Sequence, residues 1–309
     1  MSRNRRVAAG TFDAVKLSSR EHAKQLDDAL EPIDWARIPA GVSRVWIDAP
    51  SGRLAGIEAG EPSHPRVLLV PGLTGSKEDF QRMMPSFVAH GYFVESFDLA
   101  GQYESHQAGP ENINPQAKRY DLDLFVNDLI AVLERYPGPT HVLGYSFGGN
   151  VAQETYARRP ELFASLMFLS APPIPGQSFA KVKRIGWISH ITTGGGGAAL
   201  MIWGVKSNVI PVTQDRLDFV RKRFELTRRS SVGDTINLMK RTPNHRDRLR
   251  AASIPKLVAV GEHDLWPREI HRVFAEAIDA DFVVYKTGHS PCETTPYQLS
   301  WDMMQVMAR

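Results

Sequence analysis

The sequence predicts an α/β fold in which a mostly parallel central sheet is flanked by helices, with a helical cap inserted late in the chain. Three observations predict it. Compact apolar runs such as RVLLV (66–70), HVLG (141–144) and KLVAVG (256–261) have the composition of strands buried on both faces. Amphipathic stretches of helical period separate such runs, which is the spacing that right-handed crossovers between parallel strands require. Between residues 172 and 251 the alternation lapses and then resumes, so that segment reads as an insertion between two sheet strands.

In chain order, residues 1–42 form an N-terminal extension. It contains a mixed-charge helical stretch from Ser18 to Leu30 that begins at a Ser cap and stops before Pro32. VSRVWID (42–48) and RLAGIEAG (53–60) read as the first strands and RVLLVPG (66–72) as a buried one. SKEDFQRMMPSFVAHG (76–91) reads as one amphipathic helix ending at Gly91. A strand in YFVESFDLAG (92–101), a helix in DLDLFVNDLIAVLERY (121–136) and a strand in THVLGYS (140–146) follow. A helix in GGNVAQETYARRP (148–160) and a strand in SLMFLSAP (165–172) complete the first part of the core, 43–171. The core resumes over 252–309. Within the insertion, four consecutive glycines at 194–197 separate two apolar stretches, as a flexible turn between two helices or, alternatively, as a hinge.

Composition narrows the class of function. With 42% hydrophobic and 23% charged residues, the 309-residue chain can bury a sizeable core. The basic start, MSRNRR, is followed by charged residues rather than an apolar export signal, and no apolar run reaches the roughly 18 residues that span a bilayer. A soluble, cytoplasmic protein without a membrane span is expected. The single cysteine, Cys292, excludes an intrachain disulfide and a cysteine-rich metal site. A net charge of +3 is too small to argue for nucleic acid, but the charge is uneven: residues 172–251 hold 15 Lys and Arg against 5 Asp and Glu. Arginines such as Arg221, Arg223, Arg228 and Arg229 are expected to face water or, alternatively, to attract an anionic substrate or an acidic partner surface. Association of identical chains stays open.

The chemistry centres on Gly144-Tyr145-Ser146-Phe147-Gly148, a G-x-S-x-G sequence between a buried strand and a helix. A nucleophile elbow requires that strand–turn–helix setting, and small flanking residues let the serine adopt a strained backbone. A serine hydroxyl is a weak nucleophile near neutral pH, so it needs a histidine base, and the base needs a carboxylate to orient it. Ten histidines compete for the role.

In these motifs the chain resembles the α/β-hydrolase superfamily, whose members carry the order serine, acid, histidine, with the acid after a late strand and the histidine after the last. The resemblance implies Ser146 as nucleophile, Asp264 as acid and His289 as base. Asp264 follows KLVAVG and fits the family's G-x-x-D pattern, with Glu262 the alternative. His289 follows FVVYKTG. The other histidines, His271 among them, lie on helices, in linkers, in the insertion or at the wrong end of a strand, or, for His263, beside Asp264 in a different register, and read as surface or structural groups. Asp98, in FDLAG, is similar to a structural carboxylate of the family. The resemblance also implies an oxyanion hole from the backbone N–H groups of Phe147 and Leu73. Leu73 lies in Pro71-Gly72-Leu73-Thr74-Gly75-Ser76, similar to the family's His-Gly-x-x-Gly-Ser but with Pro71 in place of the histidine that often braces this loop.

What the resemblance implies is a serine hydrolase acting on a carboxylic ester or related small-molecule acyl substrate, with no metal or organic cofactor. A carbon–carbon bond hydrolase or an acyltransferase on the same fold are alternatives, and a non-catalytic receptor module is an alternative of another class. A serine at the elbow argues against haloalkane dehalogenases and epoxide hydrolases, which place Asp there. The resemblance covers residues 43–171 and 252–309 and does not reach the insertion.

Overall fold

A computed structural model describes residues 14–181 and 213–309. Its centre is an eight-stranded sheet in the order β1-β2-β4-β3-β5-β6-β7-β8. The strands are β1 (Ser43–Ala49), β2 (Gly52–Ala59), β3 (Arg66–Val70), β4 (Phe93–Phe97), β5 (Thr140–Tyr145), β6 (Phe163–Leu169), β7 (Lys256–Gly261) and β8 (Asp281–Tyr285). β1 and β2 form an antiparallel hairpin, and β2 pairs antiparallel with β4. From β4 to β8 all pairing is parallel. The mostly parallel sheet read from the buried runs is therefore present, and β3 and β7 are buried at every residue.

Two apolar cores lie on the sheet's two faces, as expected when side chains alternate along strands buried on both sides. One joins Leu68, Val142 and Val258 to Phe125 and Val151 of helices α3 (Leu122–Leu133) and α4 (Phe147–Arg158). The other joins Val67, Leu69, Leu143 and Leu257 to Phe87 of α2 (Met84–Ala89) and Met303 near the C-terminus.

The long helix expected over 76–91 is two pieces. Lys77–Phe80 is a 3₁₀ turn and α2 starts only at Met84. Pro85 supplies the reason: with no backbone N–H it fits the first turn of a helix but not its interior, so a helix begins there instead of running through.

The N-terminal helix α1 (Arg20–Asp28) starts at Ser19, whose hydroxyl accepts from the His22 N–H. It is tied to the C-terminal helix α10 (Pro296–Met307): Arg20 donates to Asp302 at 2.9 Å, and Asp27 accepts from the N–H groups of Tyr297 and Gln298. The extension thus caps the last helix of the core.

Between β6 and β7 the described part of the insertion forms α5 (Gln214–Leu226), α6 (Arg229–Met239) and α7 (Arg246–Ala251). It contacts loops at the carboxyl edge of the sheet: the Arg228 N–H donates to Gly101 O, Ser231 Oγ to Ala100 O, and the Tyr103 N–H to Thr227 Oγ1. The four-glycine run lies outside the described residues. No helix among the described residues is long and apolar enough to cross a membrane. α8 (Arg268–Ala277) and the short α9 (Pro291–Thr294) complete the chain.

Candidate active site

The residues singled out from the sequence converge where parallel strands end. Ser146 directly follows β5, Asp264 lies three residues beyond β7, and His289 lies four beyond β8. These strand ends open along one edge of the sheet, where loops rather than ladder bonds fix side-chain positions.

Ser146 occupies the turn between β5 and α4 with φ 51° and ψ −119°, a conformation strained for any residue with a Cβ. Surrounding backbone leaves little room for relaxation. A Cβ at Gly148 would lie 2.6 Å from the carbonyl oxygens of Val70 and Pro71, and one at Gly144 would lie 2.6 Å from that of Gly148. The glycines of G-x-S-x-G are therefore needed for close approach of β3, β5 and α4. Ser146 also stands at the N-terminus of α4, where the helix dipole favours negative charge.

His289 faces Ser146 with Nε2 at 3.4 Å from Oγ, a long contact. Its other nitrogen, Nδ1, is 2.6 Å from Asp264 Oδ1. Glu262, the alternative acid, is exposed and lies 3.6 Å from Arg268 instead. The acid and histidine loops are laced together, the His263 N–H donating to Thr287 O and the Glu262 N–H to Tyr285 O. Tyr145 braces the same loop, its hydroxyl 2.9 Å from Ser290 Oγ and its ring centre 5.4 Å from that of His289. Burial alone would raise the Asp264 carboxyl, but the His289 and His271 imidazoles outweigh it and hold the group well below the usual carboxylate range.

The Leu73 loop wraps against the elbow. A Cβ at Gly72 would come within 2.9 Å of Ser146 Cβ. Phe147 is the first residue of α4, so its N–H has no acceptor within that helix. The Leu73 N–H donates to no backbone carbonyl of the described chain. In place of the histidine that Pro71 displaces, three side chains hold this loop. Gln102 Oε1 accepts from the Thr74 N–H at 2.7 Å, Asp79 Oδ2 from the Ser76 N–H at 3.0 Å, and Asp98 Oδ1 from the Lys77 N–H at 2.9 Å. Asp98 is fully buried and also accepts from Lys77 Nζ at 2.9 Å.

Several groups at the site escaped the sequence reading. His271, read as a surface or structural histidine, is fully buried on α8 with Nε2 3.3 Å from Asp264 Oδ2. A signal exists: His271 shares the helix face of Phe274, Ala275 and Ile278, all buried, and is the one polar residue there. Arg216 and Arg223 of α5 also turn inward. Both donate to Asp79 Oδ1, at 2.8 and 2.6 Å, and Arg216 donates further to Glu293 of α9 at 2.6 and 3.0 Å. Among the described residues no three His, Cys, Asp or Glu side chains are grouped to hold a metal ion.

Comparison with known proteins agrees with this fold. A family model described as the alpha/beta hydrolase family matches residues 67–299, and the chain belongs to that family. Among solved structures, an esterase from Thermogutta terrifontis is 22% identical with a TM-score of 0.66, covering 85% of this chain and 97% of its own. The epoxide hydrolase VrEH1 from Vigna radiata is 17% identical with a TM-score of 0.67, covering 87% and 98%. A serine hydrolase involved in carbazole degradation is also 17% identical, with a TM-score of 0.67 and coverage of 86% and 99%. At such identities the likeness is one of fold, and that fold serves more than one chemistry. No curated protein sequence matches this chain.

Proposed function

We propose that this α/β hydrolase cleaves a carboxylic ester or related acyl substrate through an acyl-enzyme on Ser146. One observation carries the reading: a buried relay runs from Ser146 Oγ to His289 Nε2 at 3.4 Å and from His289 Nδ1 to Asp264 Oδ1 at 2.6 Å. His289 takes the Ser146 proton as Oγ attacks the acyl carbon and returns it to the leaving alkoxide. Water, activated by the same imidazole, then releases the acid. Asp264, held ionised, fixes the His289 tautomer and balances the imidazolium charge. The N–H groups of Leu73 and Phe147 receive the oxyanion of each tetrahedral intermediate, and no metal or organic cofactor takes part in these steps.

The segment 172–251 acts as the cap and, with 43–171 and 252–309 as the catalytic core, shapes the substrate pocket. A fluorophosphonate probe tests the reading directly. It labels one serine, Ser146, and Ser146→Ala loses both labelling and ester hydrolysis while keeping its fold. Retention of more than about a tenth of the hydrolysis by Ser146→Ala overturns the assignment, because the three groups act as a unit. p-Nitrophenyl esters of increasing acyl length, run beside an anionic acyl substrate, define the class.

A further inference from the structure

The Asp264 carboxylate has no exposed surface on its side chain, so each of its two oxygens needs a donor inside the protein. Oδ1 is satisfied twice, by His289 and by the Leu265 N–H. Oδ2 has no well-aligned donor, and neither has either nitrogen of His271 a hydrogen-bond partner. Yet His271 Nε2 lies 3.3 Å from Oδ2, within reach in distance but not aligned as a hydrogen bond. A buried acceptor and a buried donor, each without another partner, thus face each other directly behind the triad. The indole of Trp266 packs against both imidazoles, edge-on to His271 at 6.0 Å and tilted to His289 at 6.2 Å. Trp266 is itself anchored by Nε1 to Ser178 O, at the start of the insertion.

We propose that His271 is a positioning residue of the active site, donating its Nε2–H to Asp264 Oδ2 and so fixing the rotation of the carboxylate that aims Oδ1 at His289. The proposal rests on the serine-hydrolase reading above. A carboxylate bonded on one oxygen can swing about its χ2, a broad and shallow torsion, whereas one bonded on both cannot. The hydrogen bond also spreads the negative charge that His289 senses, so losing it strengthens the pull on the His289 proton and moves the acidic limb of activity to higher pH. Other charged groups near this carboxylate face elsewhere. Glu262 and Arg268 form their own surface pair, His263 is exposed, Glu269 and Arg272 pair on the outer face of α8, and Arg246 of the insertion lies over Phe274 at 6.0 Å.

Three measurements test this. In His271→Phe, which keeps the ring's bulk without the donor, kcat for a p-nitrophenyl ester falls by about 10-fold or more, the range seen when an orienting second partner is lost. KM stays within about twofold because substrate is not touched, and the acidic limb of kcat moves upward. His271→Gln, whose amide can donate to Oδ2, recovers most of the loss. A His271→Phe enzyme with wild-type kcat and pH profile overturns the proposal, as does a His271→Gln enzyme no better than His271→Phe. Should His271→Phe fail to fold, ¹⁵N–¹H spectra of the wild-type imidazoles decide: a proton on His271 Nε2 is expected, and the tautomer with Nε2 bare overturns it. Failure of the serine-hydrolase reading is distinct, since it appears as hydrolysis by Ser146→Ala whatever His271 does.

Discussion

Asp79 takes a guanidinium from the insertion: Arg216 Nη2 lies 2.8 Å from its Oδ1, both side chains almost wholly buried. Asp79 also accepts from the Ser76 N–H of the Leu73 loop, and the same Arg216 is doubly bonded to Glu293, four residues beyond His289. One arginine therefore connects the inserted helices to the loop that carries Leu73 and to the loop that carries His289. On its other side it stacks over Trp35 of the N-terminal extension at 4.1 Å.

Replacing Arg216 by Met is expected to be costly, because the largely buried Glu293 side chain then loses the guanidinium bonded to both of its oxygens. Leaving one member of such a pair alone costs roughly 3–5 kcal/mol. Asp79 keeps Arg223, so the loss should fall mainly on α9. Thermal unfolding of Arg216→Met, Glu293→Gln and the double variant measures this. The double variant should be more stable than Arg216→Met alone, and a simple sum of the single effects would show that the pair is not coupled.

Gly72 faces Ser146 across a gap that admits no side chain. Its added Cβ would stand 2.9 Å from Ser146 Cβ and 3.2 Å from Tyr145 O, so in Gly72→Ala either the elbow or the Leu73 loop must shift. On the proposed mechanism a displaced Leu73 N–H removes one oxyanion donor, a change that lowers kcat by about 10²–10³-fold in acyl transfer. KM should change little. Fluorophosphonate labelling of Gly72→Ala should slow in parallel with turnover, and labelling at the wild-type rate would separate Gly72 from the oxyanion hole.

How far the sequence discloses this molecule depends on the kind of signal. Strand-length apolar runs such as RVLLV and KLVAVG identify the sheet because burial on both faces selects apolar residues at every position after the first, Arg66 and Lys256 being the buried exceptions at the strand starts. Ser146 is legible because the strand–turn–helix setting marks a sharp turn, and Asp264 and His289 are legible through the resemblance to the family's order of serine, acid and histidine along the chain. The inward arginines are not. The charge of residues 172–251 is a sum, and a sum does not tell that Arg216 and Arg223 meet Asp79 and Glu293 while Arg221 remains exposed beside Asp218. Pro85 was readable as a helix start, yet the amphipathic pattern on both sides of it masks the break.

Cys292 is fully buried on α9, and burial pushes its thiol well above the ordinary range, leaving no thiolate near neutral pH. Cys292→Ser is expected to keep near-normal turnover. Iodoacetamide should leave the native protein active and modify it only after unfolding. Rapid alkylation with loss of activity in the native state would show that the α9 region opens far enough to expose a residue three positions from His289.

The last prediction concerns pH and stability. Asp128 of α3 lies buried under the β1–β2 turn, where Ser51 donates its N–H to Oδ1 at 3.0 Å and its hydroxyl to Oδ2 at 2.6 Å. Burial dominates these two bonds and pushes the carboxyl up to about 7. Unfolded, the same group titrates near about 4. Between those values the folded state holds a proton that the unfolded state has released, so this group's contribution to stability falls as pH rises from about 4 to about 7. Above that window the folded protein carries a buried, poorly solvated charge. Asn at this position keeps an acceptor for the Ser51 N–H and offers a donor to its hydroxyl without that charge. Asp128→Asn should therefore lie near wild type at pH 4.5 and exceed it at pH 8, the gap widening by about 3 kcal/mol across that range. Asp98 and Asp27 are also raised, to about 7 and about 6, and titrate in the same range in both proteins. The difference between the two denaturation curves at each pH isolates Asp128, and a gap that does not widen from pH 4.5 to pH 8 would show that its carboxyl is ionised in the folded protein throughout.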